Sequence, residues 1–346
     1  GLQDDAAQVP WPEVQQVLRS ELGADVDDVF ARFDRSSLAA ASIAQVHAAM
    51  LESGERVVVK VRRPGIDTAV AWDLDIVDRL ARRLQSSTRW GRGVGAVDLS
   101  DGFAAALREE LDLRIEAQNM TAVAAAASAR GAAASVRIPK PHQPLCTSHV
   151  LVMERLEGRP LGAITADEEI GDRQALARTL FDTLLGEVMI DGIFHADPHP
   201  GNVLLLANGQ LALLDFGSVG RIDSGLRAGL QRLLVAVDRG DPAALNDALL
   251  EIVQRPEELD EPALERALGV FMARHVGAGI TPDVRMFADL FRIIAEHELS
   301  VAARDRGGVP RAGDDRGHAD SARAGLRHPY GRPPLHHRLP RRAAQP

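Results

Sequence analysis

Residues 194–217 read FHADPHPGNVLLLANGQLALLDFG, and the architecture of the chain can be worked out from this stretch. Two short apolar runs, VLLL (203–206) and QLALLD (210–215), flank an Asn-Gly turn, which predicts a β-hairpin. A hairpin returns the chain to the edge at which it started. We therefore expect the polar loop before the first strand and the DFG tripeptide after the second strand to lie side by side.

Three residues of this stretch carry the chemistry of phosphoryl transfer. Asp197 and Asn202 lie on the polar loop, and Asp215 ends the second strand. Transfer from Mg-ATP needs one carboxylate to orient the attacking hydroxyl or water. It also needs an amide oxygen and a second carboxylate to hold the metal ion. Each motif alone is common in proteins, but the pair at hairpin spacing predicts a site that depends on nucleotide and magnesium.

His195 and His199 allow a different interpretation of the same loop. Together with Asp197 they have the residue types of a transition-metal site. No third histidine or cysteine lies nearby in the sequence, and such a site would leave Asn202 and the DFG tripeptide unexplained. We favour a buried His195 that shapes the loop by hydrogen bonding. His47, in a strand-like run, is expected to be structural.

Lysine is nearly absent from this chain. Of its 40 basic residues only Lys60 and Lys140 are lysines. Lys60 lies within the apolar run VVVKV (57–61), which is typical of a buried strand, and a buried ammonium needs a carboxylate partner to stay charged. We expect Lys60 to contact the nucleotide phosphates. Its candidate partners lie in REELDLRIEAQN (108–119), a predicted helix, and are Glu109, Glu110, Asp112 and Glu116. Three of them, Glu109, Asp112 and Glu116, are expected to share one face of that helix.

The composition is that of a globular protein, with 45% hydrophobic and 26% charged residues in 346. The formal net charge of -9 argues against a general nucleic-acid binder. Cys146 is the only cysteine, which excludes a disulfide scaffold. No unbroken apolar run of about 18 residues is present, and no signal peptide is visible. We expect a cytoplasmic protein whose chain contains no transmembrane helix.

Segments with different patterns follow one another along the chain. Residues 1–35 are expected to form an N-terminal helical extension. Residues 36–157 contain short strand-like runs and helical stretches, and residues 158–301 are mainly helical around the hairpin. RLEGRP (155–160) has the breakers of a hinge between them. This order predicts an α+β, two-lobed fold with a small mixed α/β N-lobe and a larger, mainly helical C-lobe.

Residues 302–346 fit neither lobe. They have no apolar period and carry ten arginines against four aspartates, a net charge of +6. We expect a disordered basic tail. The abrupt change after Val301 suggests that a frameshift in the gene produced it, and sequencing the gene across this region would test that hypothesis.

These residues together resemble the UbiB/AarF (ADCK) family of atypical kinases, a branch of the protein-kinase-like fold. The resemblance runs from residue 2 to residue 301. It rests on the blocks LQDD (2–5), LAAASIAQVH (38–47), VVVKVRRPGI (57–66), EELDLRIEAQN (109–119), FHADPHPGNVLL (194–205) and LLDFGSVGRI (213–222). Two family elements have no match: a K-x-G-Q element expected upstream of LQDD, and C-terminal helices that often span the membrane.

The resemblance gives each candidate a role. It implies that Lys60 positions the phosphates, that Glu116 is its helix partner and that Asp197 is the catalytic aspartate. It implies Asn202 and Asp215 as magnesium ligands. An alanine-rich turn replaces the glycine-rich phosphate loop of ordinary kinases, and its Cβ groups limit how closely backbone N–H groups approach phosphates. Further implied positions are nucleotide contacts at Ala39, Ala40, Ala41, Ser42 and Glu154, and a regulatory E-x-D pair at Glu110 and Asp112.

The resemblance also implies a function. We expect an ATP- and Mg-dependent atypical kinase or ATPase that supports ubiquinone or isoprenoid-lipid biosynthesis. The expected cofactors are ATP and Mg2+. The expected partners are the nucleotide and a phosphoryl acceptor, which is a lipid, an isoprenoid or quinone precursor, or a protein, and peripheral membrane contact is expected of the full-length family form. Two alternatives stay open: a small-molecule kinase of the aminoglycoside or choline kinase type, and a catalytically idle nucleotide-binding scaffold.

Overall fold

The computed structural model describes most of the chain between residues 8 and 301. The described residues are 8–88, 95–165, 168–256, 258–275, 284–297 and 299–301. They combine a sheet-containing N-terminal part with a mainly helical C-terminal part in one compact unit. The α+β, two-lobed architecture expected from the sequence is confirmed. The LQDD block and the 302–346 tail lie outside the described residues.

From residue 8 onward, two helices precede the first strand. α1 (Trp11–Leu22) has Pro12 in its first turn, where a missing N–H does no harm. It ends at Gly23, whose φ of 68° is a left-handed conformation that glycine adopts without a Cβ clash. α2 is a single turn, Val26–Val29.

β1 (Phe30–Ala40) starts earlier than the sequence predicted. The helical extension was expected to reach residue 35, but its last helix ends at residue 29. Phe30 aligns with Leu51 on the next strand, and its side chain is almost fully buried in a core shared with α1. Aromatic side chains favour strands when they pack on a sheet face. Strand pairing and burial therefore override the helical pattern here.

The N-lobe sheet is antiparallel and contains β1 and three further strands. These are β2 (Ala44–Leu51), β3 (Arg56–Arg62) and β5 (Val150–Glu154), in the order β1-β2-β3-β5. Side chains alternate between the two faces of a strand. Lys60 therefore lies on one face of β3, and the opposite face packs on the α1 core through Val57, Val59 and Val61.

Among the described residues, three α-helices lie between β3 and β5. They are α3 (Ile66–Ser87), α4 (Ala96–Glu110) and α5 (Leu113–Ala129). The sequence predicted one helix through 108–119 with three acids on one face, and this is wrong. Asp112 interrupts it, because its side chain accepts a hydrogen bond from the Arg114 N–H and caps α5. Aspartate is favoured at this N-cap position, where it satisfies an N–H that has no helical partner.

The predicted hairpin is present and lies in a second sheet. Its strands are β8 (Val203–Leu206) and β9 (Leu211–Leu213). The sheet order is β4-β9-β8-β6, where β4 is Val136–Arg137 and β6 is Gly158–Pro160. β6 lies within the segment that was predicted to be a hinge. In the structure this part of the segment forms a short edge strand paired with β8.

The polar loop is framed by a helix and a two-stranded ribbon. α6 (Arg173–Gly186) continues into a π-helical turn, Glu187–Asp191, which ends at a left-handed glycine. β7 (Ile193–His195) follows and pairs with β10 (Val219–Arg221). The chain therefore enters the polar loop and leaves the DFG tripeptide along the same ribbon.

One hydrophobic core joins α5 to the hairpin. Met120 and Val123 of α5 pack with Val203, Leu213 and the Phe216 ring. β4 also pairs in parallel with β9. The predicted boundary at residue 158 therefore does not divide the packing, because α5 and β4 share their core with the C-lobe hairpin.

Four helices make up the rest of the described chain, where three or four were predicted. They are α7 (Ser224–Arg239), α8 (Pro242–Ile252), α9 (Glu261–His275) and α10 (Val284–Glu296). Their core is separate from the one around the hairpin. β11 (Val253–Gln254) pairs with β12 (Ser300–Val301). Over the residues that the structure describes, no helix is both long and apolar enough to cross a membrane.

Candidate active site

Lys60 and Glu116 form a buried ion pair. The Lys60 Nζ lies 2.8 Å from Glu116 Oε2 and 3.1 Å from Oε1. A third group joins them, since Asp215 Oδ1 lies 3.5 Å from the same nitrogen. β3, α5 and the end of the hairpin thus converge on one ammonium. Of the acids considered from the sequence, Glu116 is the one that the structure pairs with Lys60.

Charge is retained at this site in spite of burial. Burial lowers the pKa of Lys60, but the carboxylates of Glu116 and Asp215 outweigh it and raise that pKa above its ordinary value. Burial raises the pKa of Glu116, and the Lys60 ammonium offsets only part of this effect. The Asp215 side chain is 47% exposed, and its partial burial also opposes ionisation, yet Lys60 and the Gly217 N–H bring its pKa below the ordinary value. Lys60 is therefore cationic and Asp215 ionised near neutral pH.

Asp215 has an unusual backbone conformation. Its φ of 56° is left-handed, and among the described non-glycine residues no other has a positive φ. Aspartate tolerates this region better than most residues do. The Asp215 Oδ1 accepts a hydrogen bond from the Gly217 N–H at 3.3 Å. The turn therefore directs the carboxylate toward Lys60 instead of along the strand.

His195 holds the polar loop from inside, as expected from the sequence. Its Nε2 bonds the Leu214 carbonyl at 2.8 Å, and its Nδ1 accepts from the Asp197 N–H at 3.2 Å. Its backbone N–H donates to the buried carboxylate of Glu187. Both ring nitrogens are thus used, so the alternative transition-metal site is wrong. Throughout the described part of the chain, no cluster of His, Cys, Asp or Glu is arranged to hold a metal ion by itself.

Asp197 and Asn202 lie next to each other on the loop. The Asn202 Nδ2 donates to the Asp197 carbonyl at 3.2 Å, and the Leu214 N–H donates to the Asn202 carbonyl at 2.8 Å. Asn202 is buried, whereas the Asp197 side chain is 55% exposed. The Asn202 amide is thus fixed through its nitrogen, and the Asp197 carboxylate is accessible from solvent.

The alanine-rich segment forms the β1–β2 turn. Ala39 and Ala40 end β1, and Ala41 and Ser42 lie in the turn. The Ala41 N–H donates to the Ala44 carbonyl at 2.8 Å, which closes the turn. Arg63, the residue after β3, holds the turn from outside. Its side-chain Nε donates to the Ala41 carbonyl and its backbone N–H donates to the Ile43 carbonyl, both at 2.9 Å.

The E-x-D pair does not enter the Lys60 cluster. Glu110 is exposed at the end of α4, and the Asp112 carboxylate binds the Arg114 guanidinium with both oxygens. That hydrogen bond lowers the pKa of Asp112. Glu110 therefore lies on α4 and Asp112 is occupied in capping α5, and the regulatory role implied by the resemblance stays a prediction.

Glu154 ends β5 with its carboxylate already engaged. Its oxygens bind the Arg137 guanidinium and the Lys140 N–H, and its own N–H donates to the Lys140 carbonyl at 2.8 Å. A nucleotide contact through this side chain would have to displace Arg137. The predicted nucleotide-binding role of Glu154 therefore has no support from its side-chain contacts.

Sequence reasoning missed three residues of the site. Glu187 supports His195, Arg63 holds the alanine-rich turn, and Asn119 bonds the Phe216 carbonyl. Asn119 could have been recognised from the sequence, because it lies three positions after Glu116 and thus on the same helical face. Arg63 and Glu187 could not be recognised from the sequence, because each binds a backbone group, and such a group leaves no side-chain pattern in the sequence.

A model of the ABC1 atypical kinase-like domain matches residues 1–249 of the chain. The chain belongs to the ABC1 atypical kinase-like family. The UbiB/AarF resemblance is therefore confirmed. A curated relative of this ABC1 protein, from Cellvibrio japonicus, is called probable protein kinase UbiB and is 33% identical over 276 residues, 77% of this chain and 49% of the relative.

Other relatives extend the comparison. An uncharacterized protein of Mycobacterium tuberculosis is 38% identical over 314 residues, which cover 88% of this chain and 64% of the relative. The chloroplastic Arabidopsis thaliana protein ACTIVITY OF BC1 COMPLEX KINASE 8 is 34% identical over 72% of this chain and 33% of its own length. The ABC1 chain thus spans less than two thirds of the length of these relatives.

A solved structure supports the fold. The Mycobacterium tuberculosis protein Rv3197, in complex with erythromycin, aligns with a TM-score of 0.60 and 26% identity over 83% of this chain and 77% of that one. Together with the family match, this likeness confirms the kinase-like, two-lobed fold predicted from the sequence.

Proposed function

We propose that this ABC1 protein binds Mg-ATP around Lys60, Glu116 and Asp215 and acts as a phosphotransferase or an ATPase. The observation that carries the proposal is the contact of one buried ammonium with two carboxylates, at 2.8 Å and 3.5 Å. A strand lysine, a helix glutamate and a DFG aspartate are the groups with which kinases hold and orient ATP phosphates. The Lys60 ammonium would position the phosphates, and Glu116 would orient Lys60.

The oxygen donors fit magnesium. Asp215 supplies an ionised carboxylate and Asn202 an amide oxygen, and Mg2+ is usually bound by one or two carboxylates together with substrate phosphates. When bound, the ion would neutralise charge that develops on the phosphates. Asp197, exposed beside Asn202, would orient the hydroxyl or water that attacks.

The names of the relatives bear on the acceptor. A UbiB relative and an Arabidopsis BC1-complex kinase favour a role in quinone or isoprenoid-lipid metabolism. We therefore propose a lipid or quinone precursor as the first acceptors to test, with a protein as the next, and peripheral contact with a membrane. An alcohol panel that includes aminoglycosides and choline would distinguish the small-molecule kinase alternative.

Thermal unfolding with and without Mg-ATP tests the proposal. Ligand at 100 times its dissociation constant stabilises the folded state by about 2.7 kcal/mol. We expect a magnesium-dependent shift for the wild type that Asp215→Asn loses. Asp238→Asn, an exposed change on α7, is the matched control and keeps the shift.

Two results would contradict the proposal. Equal ATP hydrolysis by the wild type and Asp215→Asn would remove Asp215 from the metal site. A cooperative transition that nucleotide never shifts would favour the catalytically idle scaffold.

A further inference from the structure

Helix α5 holds the DFG turn as well as Lys60. Asn119 lies one helical turn after Glu116, is 8% exposed, and donates from Nδ2 to the Phe216 carbonyl at 3.0 Å. Glu116 itself binds the Lys60 ammonium with both carboxylate oxygens. Two side chains on one face of α5 therefore bind the site: Glu116 binds Lys60, and Asn119 binds Phe216 of the turn.

The turn needs an external support. Asp215 is left-handed, a conformation that is strained at a residue other than glycine and persists only where the surroundings enforce it. On one side the Phe216 ring is fully buried and lies 5.0 Å from the His195 ring. On the other side Asn119 binds the Phe216 carbonyl. Without that donor, a buried carbonyl would lose its hydrogen bond.

The far end of α5 is fastened independently. Arg130, which follows the last residue of the helix, binds Asp191 with its Nε 3.1 Å from Oδ2, and both side chains are largely buried. Met120 and Val123 also pack in the shared core. A change at Asn119 therefore leaves α5 in place and affects the DFG turn selectively.

We infer that Asn119 is a positioning residue that fastens the Asp215–Phe216–Gly217 turn to α5 and so sets the orientation of the Asp215 carboxylate. Its consequence for magnesium rests on the proposed function. α5 thereby links the group that would hold the phosphates, Lys60, to the group that would hold the metal ion. Loss of the Asn119 bond loosens the turn and weakens magnesium binding, while Lys60 and Glu116 remain paired.

Two variants of Asn119 test the inference. Asn119→Asp keeps the side-chain shape and removes the N–H donor, and Asn119→Ala removes the side chain without adding a carboxylate. The matched control is Asn246→Asp, because Asn246 is also a buried asparagine but lies on α8 in the separate C-terminal core. Thermal unfolding first establishes which of the three variants fold.

Hydrogen exchange without nucleotide tests the contact directly. The Gly217 N–H, bonded to Asp215 Oδ1, reports on the turn. We expect its exchange to be about tenfold faster in either Asn119 variant, the size expected for loss of one hydrogen bond, and unchanged in Asn246→Asp. Wild-type exchange in a folded Asn119 variant would overturn the inference.

Magnesium titration tests the consequence. At fixed ATP, we expect the Mg2+ concentration for half-maximal thermal stabilisation to rise about five- to tenfold in the Asn119 variants, with full stabilisation regained at high Mg2+. A merely structural role would lower the unfolding temperature of both the Asn119 and Asn246 variants and leave this concentration unchanged. If the unfolding temperature of the wild type shows no magnesium-dependent shift, the proposed function fails. The hydrogen-exchange result still decides whether the Asn119 bond supports the turn.

Discussion

The two turns proposed to handle Mg-ATP are built in different ways. The DFG turn (215–217) is held by buried groups. The Phe216 ring packs in the core, Asn119 donates to the Phe216 carbonyl, and Lys60 binds the Asp215 carboxylate. The alanine-rich turn (39–43) has only small or short side chains for most of its length and depends on backbone bonds and on Arg63 from outside. The proposed metal side is thus fixed by the core, and the proposed phosphate side by backbone hydrogen bonds and one partly buried arginine.

This difference separates the expected effects of mutation. Changes around the DFG turn should alter stability or magnesium dependence, because that turn is part of the core. Changes at Arg63 should alter nucleotide affinity and leave the fold intact, because that residue acts at the surface of the N-lobe.

The largest effect on stability is expected at the buried ion pair. Glu116→Gln leaves the buried Lys60 ammonium without its closest carboxylate, and we expect a loss of about 3 kcal/mol in the free energy of unfolding. Chemical denaturation measures it. The double variant Lys60→Met, Glu116→Leu should regain part of the loss, because it removes both buried charges and leaves only the half-exposed Asp215 carboxylate without its partner.

An exposed ion pair provides the control for that change. Arg56 and Glu157 pair at the surface of the same lobe, so Glu157→Gln should hardly alter stability. If Glu116→Gln and Glu157→Gln behaved alike, the buried pair would not contribute in the way that the structure indicates.

An intermediate effect is expected at Arg63. Arg63→Ala removes the guanidinium bond to the Ala41 carbonyl, and we expect affinity for Mg-ATP to fall about fivefold. The Mg2+ concentration for half-maximal stabilisation should stay at the wild-type value, which is the opposite of the result expected at Asn119. Isothermal titration with Mg-ATP gives the affinity.

The control for Arg63 is another arginine outside the site. Arg82→Ala removes an exposed arginine on α3 that binds Asp78, and its nucleotide affinity should match the wild type. A shift in the magnesium requirement of Arg63→Ala would mean that the two turns are not independent.

The smallest effect is expected from the titration of Asp215. Its pKa in the folded protein lies below the ordinary value, so its carboxylate contributes stability above about pH 4, where it is also ionised in the unfolded chain. This contribution is lost as the pH falls through the lowered folded pKa. We expect Asp215→Asn to destabilise the protein at pH 7 and to approach the wild type in stability below about pH 4.

Denaturation of both proteins at several pH values between about 3 and 8 provides the measurement. Asparagine also tolerates the left-handed conformation, so the comparison isolates the charge. A stability difference that is independent of pH would show that Asp215 contributes through packing instead of ionisation.

Much of the site could be predicted because its residues are local or chemically unusual. The Asn-Gly turn between two apolar runs was enough to predict the hairpin, since turn type and strand pairing depend on neighbouring residues. Lys60 was recognisable as one of two lysines, placed in a run of valines. His195 was correctly predicted to be buried and to shape its loop.

Predictions failed where a contact between distant segments competes with a local pattern. The helical pattern before residue 35 gives way to a strand at Phe30, because pairing with β2 buries the aromatic side chain. The lobe boundary predicted at residue 158 did not indicate that α5 and β4 share a core with the hairpin.

The amino-acid sequence by itself determined the hairpin, the two-lobed class and the residue types of a phosphoryl-transfer site, because these follow from spacing and side-chain chemistry. Only the tertiary structure decided which acid binds Lys60, where the helix breaks and that Asn119 supports the DFG turn. Those outcomes depend on burial and on partners far apart in sequence. Burial is what makes an ammonium require a carboxylate and a carbonyl require a donor.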